Sequence, residues 1–558
     1  QDLKAYCLEE GLEPWIILYE NGANPDVVLA DFLAGSTESM LGEICETSEM
    51  VKDFAGFRFE NLVDKFTELM DSFYAICAEE IKHRHLVRIQ KAIADPENEK
   101  DKVALKKIIE ANGKGITIRE IMNTVGGFIL KLTPCVMATP MTTSMYFPLQ
   151  AVTFEHMILD EASQLQTCKS VGLIARSKHS IIVGDPNQMP PTSFFEGASA
   201  EYNLSILEED QESILKDCIA LDLPDYYLKW HYRSHHESLI AFSNTNYYGG
   251  KMITFPAADK KSKVHVIRTN GIYDRGNTIT NPIEAETLVT NLEEMILDGD
   301  MRSFGIIAFN KRQQTLIEQL IEERAEENPS FAQGLEQMQE MGEPLFVRNL
   351  ESVQGDERDV ILFSVGFGPD KDGKLVMAFG PLAKAGGWRR LNVAITRARD
   401  EMILFTSMDA KQMELSETAS KGVKDLKNFI AYAQGNEMRV VENAEGTAGS
   451  NRDGFAEAVC KFLEKSGYAY ETNVGNSALK IDIAVYDSKK ENFILGIMLN
   501  NKNTNSDFTI YDSEIGQNRI LKKQGWNLLR IWSLDWYEDS EREQNRILNR
   551  IKKDSVEE

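Results

Sequence analysis

Apolar positions follow two different rhythms along this chain. Between about residues 26 and 115 they recur at helical spacing among many charges, as at Phe59, Leu62, Phe66, Leu69, Met70 and Phe73, which predicts several helices and almost no strand. Beyond that point the runs become short and contiguous. Met157-Ile158-Leu159 breaks off into Asp160-Glu161-Ala162-Ser163-Gln164, and Ser180-Ile181-Ile182-Val183 into Gly184-Asp185-Pro186-Asn187-Gln188-Met189-Pro190-Pro191. An apolar run ended by acids is how a buried parallel strand delivers side chains to a crevice at its carboxyl end. Cys135-Val136-Met137-Ala138-Thr139-Pro140 reads as another short strand ending in a turn. From there to about residue 200, strand and helix patterns alternate, the signature of a parallel sheet covered by helices. A second alternating region runs from about 220 to 435, with strand-like runs at Phe304–Phe309, Val360–Val365 and Met402–Phe405. Within it, Glu322 to Pro344 is acidic and weakly patterned, which predicts a solvated helix or loop. Gly435–Gly449 is polar and reads as a linker, and a third α/β unit starts near Asn451.

Length and charge narrow this picture. At 558 residues the chain has room for about three or four domains. A formal charge of −26 excludes a surface that coats nucleic acid indiscriminately, but leaves room for a locally basic channel. Seven scattered cysteines, with no C-x-x-C pair, fit free thiols in a reducing cytoplasm and not a disulfide framework or a zinc site. No apolar run reaches the length of a membrane span.

The candidate chemistry lies at the ends of the strands. A carboxylate pair directly after a strand, Asp160-Glu161, is the arrangement that holds Mg²⁺ on a nucleotide phosphate and activates water. Further on, Trp230-His231-Tyr232-Arg233-Ser234 sets an Arg behind an aromatic cluster. In Leu350–Asp359, Gly355 lets the backbone approach a ligand, and Gln354 and Glu357 offer contacts to a ribose or a nucleic-acid strand. In Arg389–Arg399, Thr396 and Arg397 interrupt an apolar helix, and a guanidinium there can neutralise a transferring γ-phosphate or serve a structural ion pair. Lys311, Arg312 and Gln313, after the run Gly305–Asn310, suit either a nucleic-acid backbone or a solvated helix start.

Together these residues resemble superfamily 1 helicases of the group that includes the RNA-surveillance and Okazaki-fragment helicases. Asp160-Glu161-Ala162-Ser163-Gln164 is similar to their motif II, Gly184–Pro191 to motif III, Tyr232-Arg233 to motif IV, Val353–Glu357 to motif V and Leu391–Arg399 to motif VI. The resemblance implies two RecA-like parallel-sheet domains, ATP and Mg²⁺ as cofactors, and 5′ to 3′ movement on a single strand. It implies that Asp160 binds the metal, Glu161 is the general base, Gln188 senses the γ-phosphate, and Arg233 and Arg397 are arginine fingers. Asp185, Gln354, Gly355 and Glu357 fall on the nucleotide side of the same motifs. No Gly-x-x-x-x-Gly-Lys-Ser/Thr occurs in the 558 residues, and Asn112-Gly113-Lys114-Gly115 lacks both the spacing and the hydroxyl. In some large bacterial members of the group a long helical insertion separates that loop from motif II. The helices before residue 115 resemble that insertion, so the loop is expected upstream of Gln1 or on a partner chain.

The third unit resembles the domain related to very-short-patch-repair endonucleases that is fused behind large bacterial helicases of this superfamily. Glu457 and Asp482 fall where that family has acids, and Ile481–Val485 and Gly525–Ser533 match its strands. Where the family has Ile-Glu-Cys-Asp-Gly, however, this chain has Ile497-Met498-Leu499-Asn500-Asn501. A thioether cannot hold hard Mg²⁺, so a degenerate DNA-binding or docking domain is expected. The expected organisation is a helical insertion over 1–120, the remainder of an incomplete first RecA-like domain over 121–215, and a second over 216–435. A linker over 436–450 and a restriction-endonuclease-like α/β domain over 451–558 complete it. The resemblance implies an ATP-dependent helicase or translocase of genome maintenance or phage defence, acting on single-stranded DNA more than on RNA. The rivals are a scaffold subunit without its own ATPase and a Mg²⁺-dependent endonuclease regulated by the helicase part.

Overall fold

A computed structural model describes residues 2–52, 54–147, 149, 153–191, 213–377, 379–435, 454–487, 492–499 and 508–554. They divide into two compact units, one from the described parts of Gln1–Ser72, Leu499–Lys502 and Leu529–Glu558, the other from those of Phe73–Met498 and Asn503–Leu528. In the first unit the start of the helix Gly56–Ala94 is pinned to the end of the chain. The Gly56 N–H donates to the Asp535 carboxylate at 3.0 and 3.2 Å, Phe54 and Phe59 pack edge-on to Trp532, and Arg546 pairs with Glu60 at 3.2 Å.

The second unit has the expected α/β character, with parallel sheets. Its largest sheet runs β3 (Val264–Arg268), β7 (Ala398–Thr406), β6 (Arg358–Ser364), β4 (Phe304–Ala308) and β5 (Phe346–Asn349), all parallel. Such a sheet is covered on both faces, so its strands read as continuous apolar runs, and every residue of β4 is buried. The helices Pro282–Leu297, Lys311–Glu327 and Pro329–Glu340 pack Leu288, Leu292, Ile317 and Phe331 on one face. The helices Ser238–Tyr247, Trp388–Ile395 and Lys421–Ala433 bring Phe242, Leu391 and Phe429 to the other. Burying each such side chain contributes about 2 kcal/mol. Asn281 and Asn310 cap two of these helices by accepting from the N–H groups of Glu284 and Gln313. The segment expected to be a solvated helix or loop, Glu322–Pro344, carries the end of one helix and the helix Pro329–Glu340, largely facing solvent, except that Phe331 and Met338 reach the core.

The other parallel sheet has two strands, β1 (Phe154–Leu159) and β2 (Ser177–Ile182). They form where the apolar runs predicted, yet apart from Leu159 they are not buried: Ile158 is 68% and Ile181 52% exposed. Cys135–Thr139 forms no strand; its backbone pairs with no ladder among the described residues, and Met137 is fully exposed. The helical expectation for residues 26 to 115 holds in Pro25–Thr47, Gly56–Ala94 and Glu99–Glu110.

The second unit also holds the antiparallel meander β8 (Ala469–Val474), β9 (Ile481–Asp487) and β10 (Asn492–Leu499) and the helix Gly454–Lys465. The expected linker at 436–450, and Asn500 and Asn501, lie outside the described residues. No described helix is long and apolar enough to cross a membrane.

Candidate nucleotide site

The register of β1 and β2 sets Leu159 beside Ile182, so both strands release their polar tails at one carboxyl edge. Two further bonds lock the tails together: the Val183 N–H donates to Leu159 O at 2.8 Å and the Ala162 N–H to Val183 O at 2.9 Å. Gly184 has to be small here, since a Cβ would lie 3.0 Å from the Ser163 nitrogen. Glu161 adopts φ 52° and ψ 37°, a left-handed conformation unusual for a side-chain-bearing residue and typical of strained functional positions. Its N–H donates to the Asp160 carboxylate at 2.9 Å, so the two acids turn back on each other at the exposed edge.

The five-stranded sheet presents its opposite end. Val353–Glu357 lead into β6, Arg397 leads into β7, and the Arg358 N–H donates to Arg397 O at 3.3 Å, so both segments share the amino edge. Arg397 is not in the helix, as the sequence pattern suggested, but past it. The helix stops at Ile395, where the Thr396 hydroxyl donates to the carbonyls of Asn392 and Val393 at 3.0 Å. Arg397 is buried, and loss of solvent, reinforced by the Arg233 charge, lowers its pKa to about 10, with Glu357, Tyr248 and Glu161 acting against that fall. Its guanidinium donates to Val393 O at 2.8 Å and to the Thr396 hydroxyl at 3.1 Å, so the group is oriented from behind.

These two edges meet. Gln354 reaches from the second sheet and donates to the Glu161 carboxylate at 3.0 Å and to Gln188 Oε1 at 3.2 Å, while Gln164 donates to the same Glu161 oxygen at 3.0 Å. Gln188 in turn donates to Asp185 at 3.1 Å. Gly355 takes φ 92°, which lets the loop turn after Gln354. Arg233 lies on the surface and pairs with Glu357 at 2.7 Å; Glu357 is itself 4.0 Å from Arg399, which bonds Asp359 and Glu343. A cavity of about 240 Å³ opens beside Gln354, lined by Gln164, Met189, Pro190, Pro191, Glu351 and Ser352.

Two residues outside the set of site residues expected from the sequence complete the contact. The Tyr248 hydroxyl donates to Asp185 at 2.7 Å, and Asn392 donates to that hydroxyl at 3.0 Å and to Asn187 O at 2.9 Å. Burial and the Asp185 charge hold the Tyr248 phenol well above its ordinary pKa, so it stays a donor. Asn392 was visible only as a polar residue inside an apolar helix. Tyr248 sits in Asn246-Tyr247-Tyr248-Gly249-Gly250, where nothing in the sequence sets it apart from Tyr247.

Asp160 and Glu161 end one strand and Asp185 follows its neighbour, so hard oxygen donors that suit a divalent cation on a polyphosphate lie along one edge, with the Gln164, Gln188 and Gln354 amides beside Glu161, although the three carboxylates are not drawn together into one cluster. The buried Gln354 Oε1 and Asn392 Oδ1 also have no hydrogen-bond partner among the described residues. The acids of the C-terminal meander offer no such set. Asp482 lies on β9, and the pairing of Ile483 with Ile497 carries one step on to Met498, which packs against an apolar cluster. Glu457 pairs with Lys461 at 2.9 Å. Among the described residues no three His, Cys, Asp or Glu side chains are grouped to hold a metal ion.

Comparison with known proteins points the same way. One AAA-domain model matches residues 57–196, another matches 210–409, and the restriction-endonuclease family model REase_MTES_1575 matches 455–551. The "Uncharacterized ATP-dependent helicase MG140 homolog" of Mycoplasma pneumoniae is 29% identical over 433 residues, 73% of this chain and 37% of that protein. Its Mycoplasma genitalium counterpart is 30% identical over the same shares. "Helicase SEN1" of Saccharomyces cerevisiae is 27% identical over 50% of this chain and 12% of its own length. The chain thus spans little more than a third of the first two relatives.

Proposed function

We propose that this chain, which carries the AAA domains of superfamily 1 helicases with a restriction-endonuclease-like domain behind them, is the part of an ATP-dependent nucleic-acid motor that closes on the γ-phosphate. The observation that carries the reading is the bridge from Gln354 to Glu161 and Gln188, which ties the carboxyl edge of one sheet to the amino edge of the other. Bound ATP with Mg²⁺ would supply the phosphoanhydride whose hydrolysis drives movement.

In this reading Asp160 holds the metal, and Glu161 accepts the proton of the attacking water, oriented by Gln164 and Gln354. Gln188 stands between Asp185 and Gln354, where it can report whether the γ-phosphate is present. Arg233 and Arg397 neutralise the charge that develops on the phosphoryl group. Asp185, Gly355 and Glu357 fix the loops that carry these groups. The phosphate loop belongs to a further segment, upstream or on a partner chain, that would add to the exposed β1–β2 sheet. The domain borders near 120, 215, 435 and 450 are those expected from the patterning. Single-stranded DNA is the favoured track, by analogy with the appended domain. That domain serves docking and not cleavage, because Met498 replaces an acid.

ATP hydrolysis by the full-length protein, with and without single-stranded DNA, tests the reading. Glu161→Gln is expected to lower turnover by about a thousandfold while ATP still binds. Turnover left intact by that substitution would remove Glu161 from the chemistry.

A further inference from the structure

The restriction-endonuclease-like domain is packed into the second AAA domain along one stretch, Lys229–Lys260. The Ile253 N–H donates to Lys229 O at 2.7 Å and the His231 N–H to Ile253 O at 2.9 Å, so the strand-like piece holding Trp230 is paired to the one holding Ile253 and Phe255. Ile253 and Phe255 are buried in one apolar cluster with Leu479, Ile481, Phe493 and Trp526 of the C-terminal domain. Polar bonds fix the register of this joint. The Thr254 N–H donates to Ser477 Oγ at 3.0 Å, and that hydroxyl donates to Thr254 O at 2.9 Å. Trp526 Nε1 donates to Pro256 O at 2.7 Å, and the Phe493 N–H to Ala258 O at 2.9 Å. Buried Glu237 accepts from the Thr254 hydroxyl at 2.6 Å and from the Asn476 N–H at 3.2 Å. Lys260 pairs with Glu471 and sits 4.5 Å above the Tyr486 ring.

Trp230 is the hinge of the arrangement. Its ring meets Phe255 edge-on at 5.4 Å and Phe508 of the C-terminal domain at 5.9 Å, and lies so close to Gly516 that a Cβ there would be 3.1 Å from it. Three residues later comes Arg233, bonded to Glu357 at the nucleotide site. The turn between them is closed by His231, whose Nε2 accepts the Ser234 N–H at 3.3 Å.

We propose that the restriction-endonuclease-like domain acts as a brace on the motor: through Trp230 it fixes the Lys229–Ser234 segment and so sets Arg233 against Glu357 at the nucleotide site. Trp230 is thus a positioning residue and Arg233 the group it positions. The proposal rests on the assignment of Arg233 to the ATP site given above. It gives a fused nuclease-like fold, with Met498 in the place of an acid, a mechanical role that needs no cleavage.

The test uses the full-length protein with saturating single-stranded DNA. Trp230→Ala is expected to lower kcat about tenfold with KM for ATP within about twofold, and Trp230→Phe to retain most of the activity. In an Arg233→Ala background, itself at least about a hundredfold slower, Trp230→Ala should add no further loss. An unchanged kcat in Trp230→Ala, or a loss of the same size with and without Arg233, overturns the brace. A normal turnover in Arg233→Ala instead sinks the ATP-site assignment, and hydrogen exchange then still reads the brace. Ser477→Ala, on the far side of the joint, should speed amide exchange at Thr254 and His231 by about threefold or more. Exchange unchanged at both amides overturns the coupling whatever the ATPase shows.

Discussion

The two parallel sheets of this chain are covered to very different degrees. β4 of the five-stranded sheet is buried at every position, whereas the two strands that carry Asp160, Glu161 and Asp185 leave Ile158 68% and Ile181 52% exposed. They also face the site with opposite ends, the small sheet with its carboxyl edge and the large one with its amino edge. The difference separates two jobs. The small sheet supplies the acids; from the large sheet's side Gln354 reaches Glu161, Tyr248 reaches Asp185, and Asn392 reaches the Asn187 carbonyl.

The burial of the large sheet carries a cost at its other end. Glu284 is fully buried there, accepting the Ser364 hydroxyl at 2.7 Å and the Gly366 N–H at 2.6 Å, and burial raises its pKa to about 8. Below about pH 4.5 the side chain is protonated in both folded and unfolded states. Between there and pH 8 the unfolded chain gives up a proton that the folded one keeps, so stability falls as pH rises, by up to about 5 kcal/mol, and is level above. Glu284→Gln should flatten that slope, which thermal unfolding from pH 5 to 9 will show. An unchanged slope would mean that the carboxyl is not the source.

How much of this was legible in the sequence depended on the kind of signal. Strand ends marked by acids were plain, because an apolar run that stops abruptly at Asp160 or Gly184 is what a strand opening onto a polar crevice requires. Three strands of the large sheet were equally plain, since contiguous runs such as Val360–Val365 can only be buried, whereas β3 and β5, with only five and four residues, did not stand out. Cys135–Thr139 misled for the same reason: its composition suits a strand, but a ladder needs a partner, and none is present among the described residues. Arg397 was placed in a helix because periodicity cannot see that Thr396 turns its hydroxyl back on Asn392 and Val393. Tyr248 and the role of Asn392 were out of reach, since both depend on which side chains two separate sheets bring within about 3 Å, the reach of a hydrogen bond.

The contrast in burial can be tested directly. Ile306→Ala in β4 should cost about 3 kcal/mol, through lost transfer energy and a cavity, and Ile158→Ala in β1 less than about 0.5 kcal/mol. Denaturant unfolding of this chain measures both. If the phosphate-loop segment covers β1 in the full-length protein, Ile158→Ala should become several times more costly there. A cost that stays the same would mean that no further strand or helix lies over that face.

The smallest effect tests the grip of the large sheet on the small one. Tyr248→Phe keeps the ring but removes the hydroxyl that joins Asp185 to Asn392. A bond to a charged acceptor contributes about 1.5 kcal/mol, so ATP turnover should fall about tenfold if that bond forms only when the sheets are closed. Asn392→Ala should give a similar loss, and the double variant little more than either alone, because both act through the same loop. Fully additive losses would mean that the two side chains hold different parts of the site, and the large sheet would then grip the acids at two independent points instead of one.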